Sequence, residues 1–89
     1  MNSKATKDFW REYEKLPDSV KDLAKKSYEL FKNNQSHPSL QFKKVNNDPQ
    51  VYSVRITLYY RALGVKDNDT IIWFWIGNHG DYDKLVNSL

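Results

Sequence analysis

Six side chains of this sequence are of the types that proton transfer and charge stabilisation require. They are His79 and Tyr82 in "GNHGDYDKL", Arg55 and Arg61 in "VRITLYYRA", and Lys43 and Lys44 in "FKKV". Histidine is the side chain whose unperturbed pKa, about 6.5, lets it act as acid or base near neutrality. A phenol can share a proton transfer, orient a base or stack on one, and guanidinium and ammonium groups stabilise anionic charge. Together the set suits phosphodiester cleavage in RNA. There the ribose 2′-hydroxyl attacks its own phosphate, which needs a base, an acid at the leaving oxygen, and cations around an increasingly negative phosphorane. No metal or other cofactor is needed for that reaction. Plainer readings stand beside this one: a solvated sheet face or salt bridges to Asp81 or Asp83 for the arginines, and a helix N-cap or exposed tail residue for His79. His37, in "SHPSL", precedes proline, is held extended in a loop, and is expected to hydrogen-bond locally.

Convergence of the six depends on the elements that carry them. In "ATKDFWREYEKL" the side chains Ala5, Phe9, Tyr13 and Leu16 recur at helical spacing with charges between them, which predicts a first amphipathic helix. Pro17 breaks it, and Pro17 or Asp18 suits the first turn of a second helix, lined on one face by Val20, Leu23, Ala24, Ser27, Tyr28 and Phe31. The turn formers of "NNQSHPSL" end the helical half. From Leu40 onward "LQFKKV", "VYSVRI", "YYRALGV" and "TIIWFWIG" read as four strands whose connections are too short for crossover helices. The expected architecture is therefore α+β: two N-terminal helices on a small, mainly antiparallel four-stranded sheet, closed by a short C-terminal helix within "HGDYDKLVNSL".

Within that sheet Tyr52, Val54 and Ile56 share one face and Arg55 points to the other with Ser53. The last strand is apolar on both faces, with Ile72, Phe74 and Ile76 on one and Ile71, Trp73 and Trp75 on the other, which predicts an interior position. Its exit beyond Gly77 would bring His79 and Tyr82 to the rim of a groove near Arg55, Arg61 and the lysines.

The chain has 89 residues, no cysteine and two histidines. A disulfide framework, a thiolate metal site and a cysteine nucleophile are excluded, and one domain spanning 1–89 is expected. Aromatic residues, 15% of the total, supply the buried area that a short chain needs. No segment approaches the length of a membrane span and "MNSKATKDFW" lacks a signal-peptide core, so a cytoplasmic location is expected. The net charge is +3, but residues 37–66 hold five basic side chains against one acidic. That +4 segment favours a polyanionic partner.

The order of these segments resembles the RelE/ParE superfamily of bacterial toxins from toxin–antitoxin pairs over nearly the whole length. The matching segments are "LPDSV" between two helices, "HPSLQFKKV" entering the sheet, "VYSVRITLYYRALG" as paired strands, and "IIWFWIGNHGDYDKL" at the close. In the RelE-like branch the resemblance implies a ribosome-dependent mRNA endonuclease that arrests translation and is neutralised by a small cognate antitoxin. It aligns Lys43 or Lys44, Arg55 and Arg61 with the family's basic strand residues, and His79 and Tyr82 with its C-terminal basic-or-His and Tyr positions. Asn78 and Gly80 stand where active relatives are often basic, and Asp81 and Asp83 make the tail acidic. Two alternatives accompany this branch: a ParE-like, non-catalytic inhibitor of DNA gyrase, and an inactive fold-mate that only binds an antitoxin.

Overall fold

The computed structural model describes all 89 residues. A strand β1 (Asn2–Ala5) leads into helix α1 (Lys7–Glu14), followed by α2 (Asp18–Asn33) and a 3-10 turn (Pro38–Leu40). Strands β2 (Lys43–Asn47), β3 (Gln50–Arg55), β4 (Tyr60–Asp67) and β5 (Thr70–Asn78) come next, and α3 (His79–Ser88) closes the chain. The two N-terminal helices start where side-chain chemistry permits. Thr6 caps α1, its hydroxyl accepting from the Phe9 amide at 3.1 Å, and Pro17 stands just before α2 with Asp18 in its first turn, near the positive end of the helix dipole.

The sheet has five strands in the order β1-β5-β4-β3-β2, where four were expected. The fifth is β1, which runs parallel to β5 from Asn2 opposite Thr70 to Ala5 opposite Trp73. With one apolar residue in "NSKA" it carries no β-pattern of its own, and main-chain pairing holds it in place. Its side chains add one specific bond: the Trp73 indole N–H donates to Ser3 Oγ at 3.0 Å, satisfying a donor on a side chain only 4% exposed. Ala5, assigned by spacing to the first helix, ends this strand instead. The remaining pairs are antiparallel, and β5 is interior because β1 covers its outer edge.

Each sheet face has its own core. One is built under α1 and α2 from Tyr13, Leu16, Val20, Ala24 and Phe31 with Val54, Ala62, Ile71, Trp73 and Ile76; Phe31 meets Trp73 edge to face with centroids 5.3 Å apart. The other lies under α3, where Tyr82 joins Val51 and Leu63, flanked by Phe74, Trp75, Leu85 and Val86. The strict alternation expected along β5 breaks at a bulge, since Leu63 is opposite Trp75 while Gly64 is opposite Trp73. The extra residue puts Phe74 and Trp75 on the α3 face together. Ile76 consequently packs with Ile71 and Trp73, and Trp75 does not.

Two glycines accommodate the tryptophans. A Cβ on Gly64 would lie 2.7 Å from Trp73 Cε3, and one on Gly77 would lie 2.5 Å from Trp75 Cζ2. Trp73 reaches Gly64 across the β4–β5 pair and Trp75 reaches Gly77 along its own strand, each so closely that a Cβ could not be added without displacing a neighbour.

Candidate functional site

The β3–β4 hairpin places the two arginines. Arg55 and Arg61 are register partners at its closed end, so they project from the same face, the one shared with Ser53 and covered further along by α3. Like charges directly opposite one another cost stability, and neither guanidinium forms an ion pair with Asp81, Asp83 or any other carboxylate. The salt-bridge reading of these arginines is thereby removed. Arg61 is only half-buried, yet its Nη1 is fully buried and has no hydrogen-bond partner. A donor in that condition costs about 1–3 kcal/mol.

Strand β2 divides the two lysines. Lys43 pairs with Ser53 and Lys44 with Tyr52, so Lys43 shares the arginine face while Lys44 projects from the opposite one. Sequence left the choice between them open; cross-strand register makes it.

Helix α3 brings the remaining groups. Asn78 caps it, its Oδ1 accepting from the Asp81 amide at 2.8 Å, which makes His79 the first helical residue rather than the cap. The His79 amide donates to the Tyr59 carbonyl at 2.7 Å. That bond pins the helix start to the corner between β3 and β4, so the imidazole stands beside the arginine end of the hairpin. The ring is half-exposed, and its Nδ1 lies 3.1 Å from Asp83 Oδ2 one turn along, leaving Nε2 free to face solvent.

Tyr82 was expected at the rim of the groove, but it lies in the α3-side core, 7% exposed. Its hydroxyl donates to Ser53 Oγ at 3.3 Å. Spacing within α3 explains this: Tyr82, Leu85 and Val86 form the apolar stripe that seats the helix on the sheet. The ring nevertheless joins the site, with Arg61 Cζ 5.5 Å from its centroid and the His79 ring centroid 5.8 Å away.

Two residues here were not singled out from sequence. Ser53 is wholly buried and receives the Tyr82 hydroxyl. Tyr59, in the corner that joins the arginine-bearing strands, is 68% exposed; an aromatic residue at a tight turn, where polar residues are usual, was the available signal. His37 is held locally, its Nδ1 accepting from the Ser39 amide at 3.2 Å. No three His, Asp or Glu side chains converge in a metal-binding group.

The arginine–histidine cluster is an open surface and lines neither cavity of the protein. The larger cavity, about 390 Å³, opens between α1, α2 and the sheet and is mostly apolar, with Phe9, Trp10, Tyr28 and Trp73 in its walls. Trp10 and Tyr28 are exposed there, as is Leu23 elsewhere on α2. The second helix is thus less fully covered than its periodicity suggests. No helix is long and apolar enough to cross a membrane.

A mixed five-stranded sheet with two helices on one face, a third on the other and a cationic strand end defines a toxin of the RelE/ParE fold. A family model for the ParE-like toxin domain matches residues 18–84, and the chain belongs to that family. Solved structures agree in architecture. The RelB–RelE antitoxin–toxin complex from Methanococcus jannaschii superposes with a TM-score of 0.74 at 20% identity, over 92% of this chain and 96% of that one. The archaeal RelE–RelB complex from Pyrococcus horikoshii OT3 gives 0.70 at 14% identity, over 89% and 94%. The YoeB/ParE toxin from Agrobacterium tumefaciens gives 0.66 at 16%, over 89% and 99%. No curated protein sequence matches the chain.

Proposed function

We propose that this toxin is a metal-independent endoribonuclease that cleaves mRNA, on the translating ribosome, and is neutralised by a cognate antitoxin. The carrying observation is that the Tyr82 ring lies within 6 Å of both His79 and the Arg61 guanidinium, while Arg55 and Lys43 share the same face. His79 Nε2 is the proton-transfer group at one of the two oxygens, attacking or leaving. Arg61, with an unsatisfied donor and no carboxylate partner, stabilises the phosphorane, and Arg55 assists it. Lys43 holds an adjacent phosphate. Tyr82, its hydroxyl turned inward to Ser53, contributes through its ring by fixing Arg61. Two of the similar structures are RelE toxins bound to RelB antitoxins, which supports the RelE-like branch and a protein partner. For that partner, the apolar cleft between α1, α2 and the sheet is the surface we assign.

A ParE-like reading, a non-catalytic inhibitor of DNA gyrase, is favoured by the matched family model itself and by the Asp83 carboxylate beside His79. Pulsed expression followed by mapping of mRNA 5′ ends separates the two. New 5′ ends within coding regions that appear with the parent and vanish with His79→Ala support the nuclease. Growth arrest by both proteins without new ends, accompanied by loss of supercoiling activity in purified gyrase, supports the inhibitor.

A further inference from the structure

The basic side chains of residues 37–66 do not form one patch. Lys43, Arg55 and Arg61 project from the α3 face, whereas Lys44 and Lys66 belong to the opposite face of the same three strands. There they flank Tyr52: Lys44 stands opposite it on β2, Lys66 lies two residues beyond its β4 partner Gly64, and each ammonium is 6.0 Å from the Tyr52 ring centroid. Phe42 stacks on the same ring at 4.8 Å with an interplanar angle of 20°, so Tyr52 is held in place as a fixed platform. Neither lysine has a carboxylate partner. The ring offers each ammonium only a weak attraction at that distance, which leaves both charges available to an anion.

Strand β2 is the edge of the sheet, so nothing paired beyond it separates the two faces. A chain of phosphates crossing that edge passes from Lys43 to Lys44, neighbours in sequence that point to opposite sides. We infer that single-stranded RNA held at the proposed site continues around the β2 edge, where Lys44 and Lys66, on either side of Tyr52, bind its next phosphates. This second subsite rests on the RNA-binding part of the proposed function and not on the cleavage step. It also explains why the charge of the segment is divided: the strand is gripped from both faces, which fixes its path without base-specific contacts.

The test is equilibrium binding of a single-stranded RNA about ten nucleotides long, 2′-O-methylated throughout so that it cannot be cleaved, between about 50 and 200 mM salt. The Lys44→Ala/Lys66→Ala protein should bind about 10- to 100-fold more weakly at ~50 mM salt, and the slope of log K against log salt should become shallower by about 1.4, two phosphates' worth. Lys44→Arg/Lys66→Arg should restore the parental slope. Circular dichroism melting of both variants establishes that they are folded. A slope unchanged in the alanine variant, or a parent protein that does not bind the probe at ~50 mM salt, overturns the inference. Cleavage of ribosome-bound mRNA by the parent is scored separately. A slope change without cleavage sinks the nuclease alone, and cleavage without a slope change sinks the second subsite alone.

Discussion

The Tyr82 hydroxyl donates to Ser53 Oγ inside the core beneath α3, while the face of the same ring meets Arg61. One side chain therefore ties the last helix to the third strand and positions a cation at the surface. Tyr82→Phe removes only the first of these links. It should cost about 1–2 kcal/mol in chemical denaturation, because Ser53 is left buried without its partner, and it should leave cleavage within a few-fold of the parent. Tyr82→Leu, which keeps an apolar filler but removes the ring, should also reduce cleavage. A Tyr82→Phe protein of parental stability and no activity would instead assign the hydroxyl to proton transfer.

His79 and Arg61 should fail in different ways. His79→Ala should cut cleavage by about 10²-fold or more and remove one limb of the pH–rate profile, with the fold retained because the ring is half-exposed and only its backbone amide holds Tyr59. Arg61→Ala should lose a broadly similar factor with the shape of the profile preserved. Arg61→Lys should recover little, since a point-charge ammonium cannot reproduce the planar, multi-donor guanidinium held over Tyr82. Single-turnover cleavage across pH makes the comparison.

RNA binding should depend strongly on salt. Three cations on the α3 face give a slope of about −2 in log K against log salt for a single strand, and the two on the other face steepen it to about −3.5. A flat response measured by fluorescence anisotropy would take nucleic acid out of the mechanism.

The two close-packed glycines should differ in tolerance. In Gly64→Ala the new methyl meets Trp73, which is 4% exposed and enclosed by Phe31 and the Ser3 hydroxyl, so a loss of about 2–3 kcal/mol is expected. In Gly77→Ala it meets Trp75, which is half-buried and can tilt toward solvent, so about 1 kcal/mol should suffice. Equal melting temperatures for the two variants would contradict this ranking.

Trp10 and Tyr28 should matter to the partner more than to the fold. Trp10 is 51% exposed at the mouth of the apolar cleft, where it packs edge-on against Phe9 and Tyr13. Trp10→Ala/Tyr28→Ala should lower stability by under about 1.5 kcal/mol but weaken co-purification with a co-expressed cognate antitoxin by at least tenfold. A variant that still holds the antitoxin at parental affinity would place the interface elsewhere.

Much of this molecule is legible from residue order. The side of β3 that carries Arg55, the break at Pro17 and the change from helical to strand period near Leu40 all follow from local periodicity, which a backbone imposes residue by residue. What escaped has non-local causes. Strand β1 exists because β5 offers it an edge, not because "NSKA" favours extension. The bulge that exchanges the faces of Trp75 and Ile76 depends on how β4 and β5 fit, and the assignment of Lys43 rather than Lys44 to the arginine face depends on register with β3. Tyr82 was placed near Arg61 but read as exposed, because its neighbours in sequence are charged while its neighbours on the helix face, Leu85 and Val86, are not.

Pairing of Asn2–Ala5 with Thr70–Trp73 also sets a schedule. The first strand of the sheet finds its partner only after nearly all the chain between them has been synthesised, and Ile71, Trp73 and Ile76, against which α1 and α2 close, emerge just as late. Contacts this distant in sequence form slowly, and α1 and α2 are made well before the β4–β5 scaffold they close against. The arginine end of the hairpin meets the start of α3 only once β5 is in place, so the proposed site depends on the same late pairing.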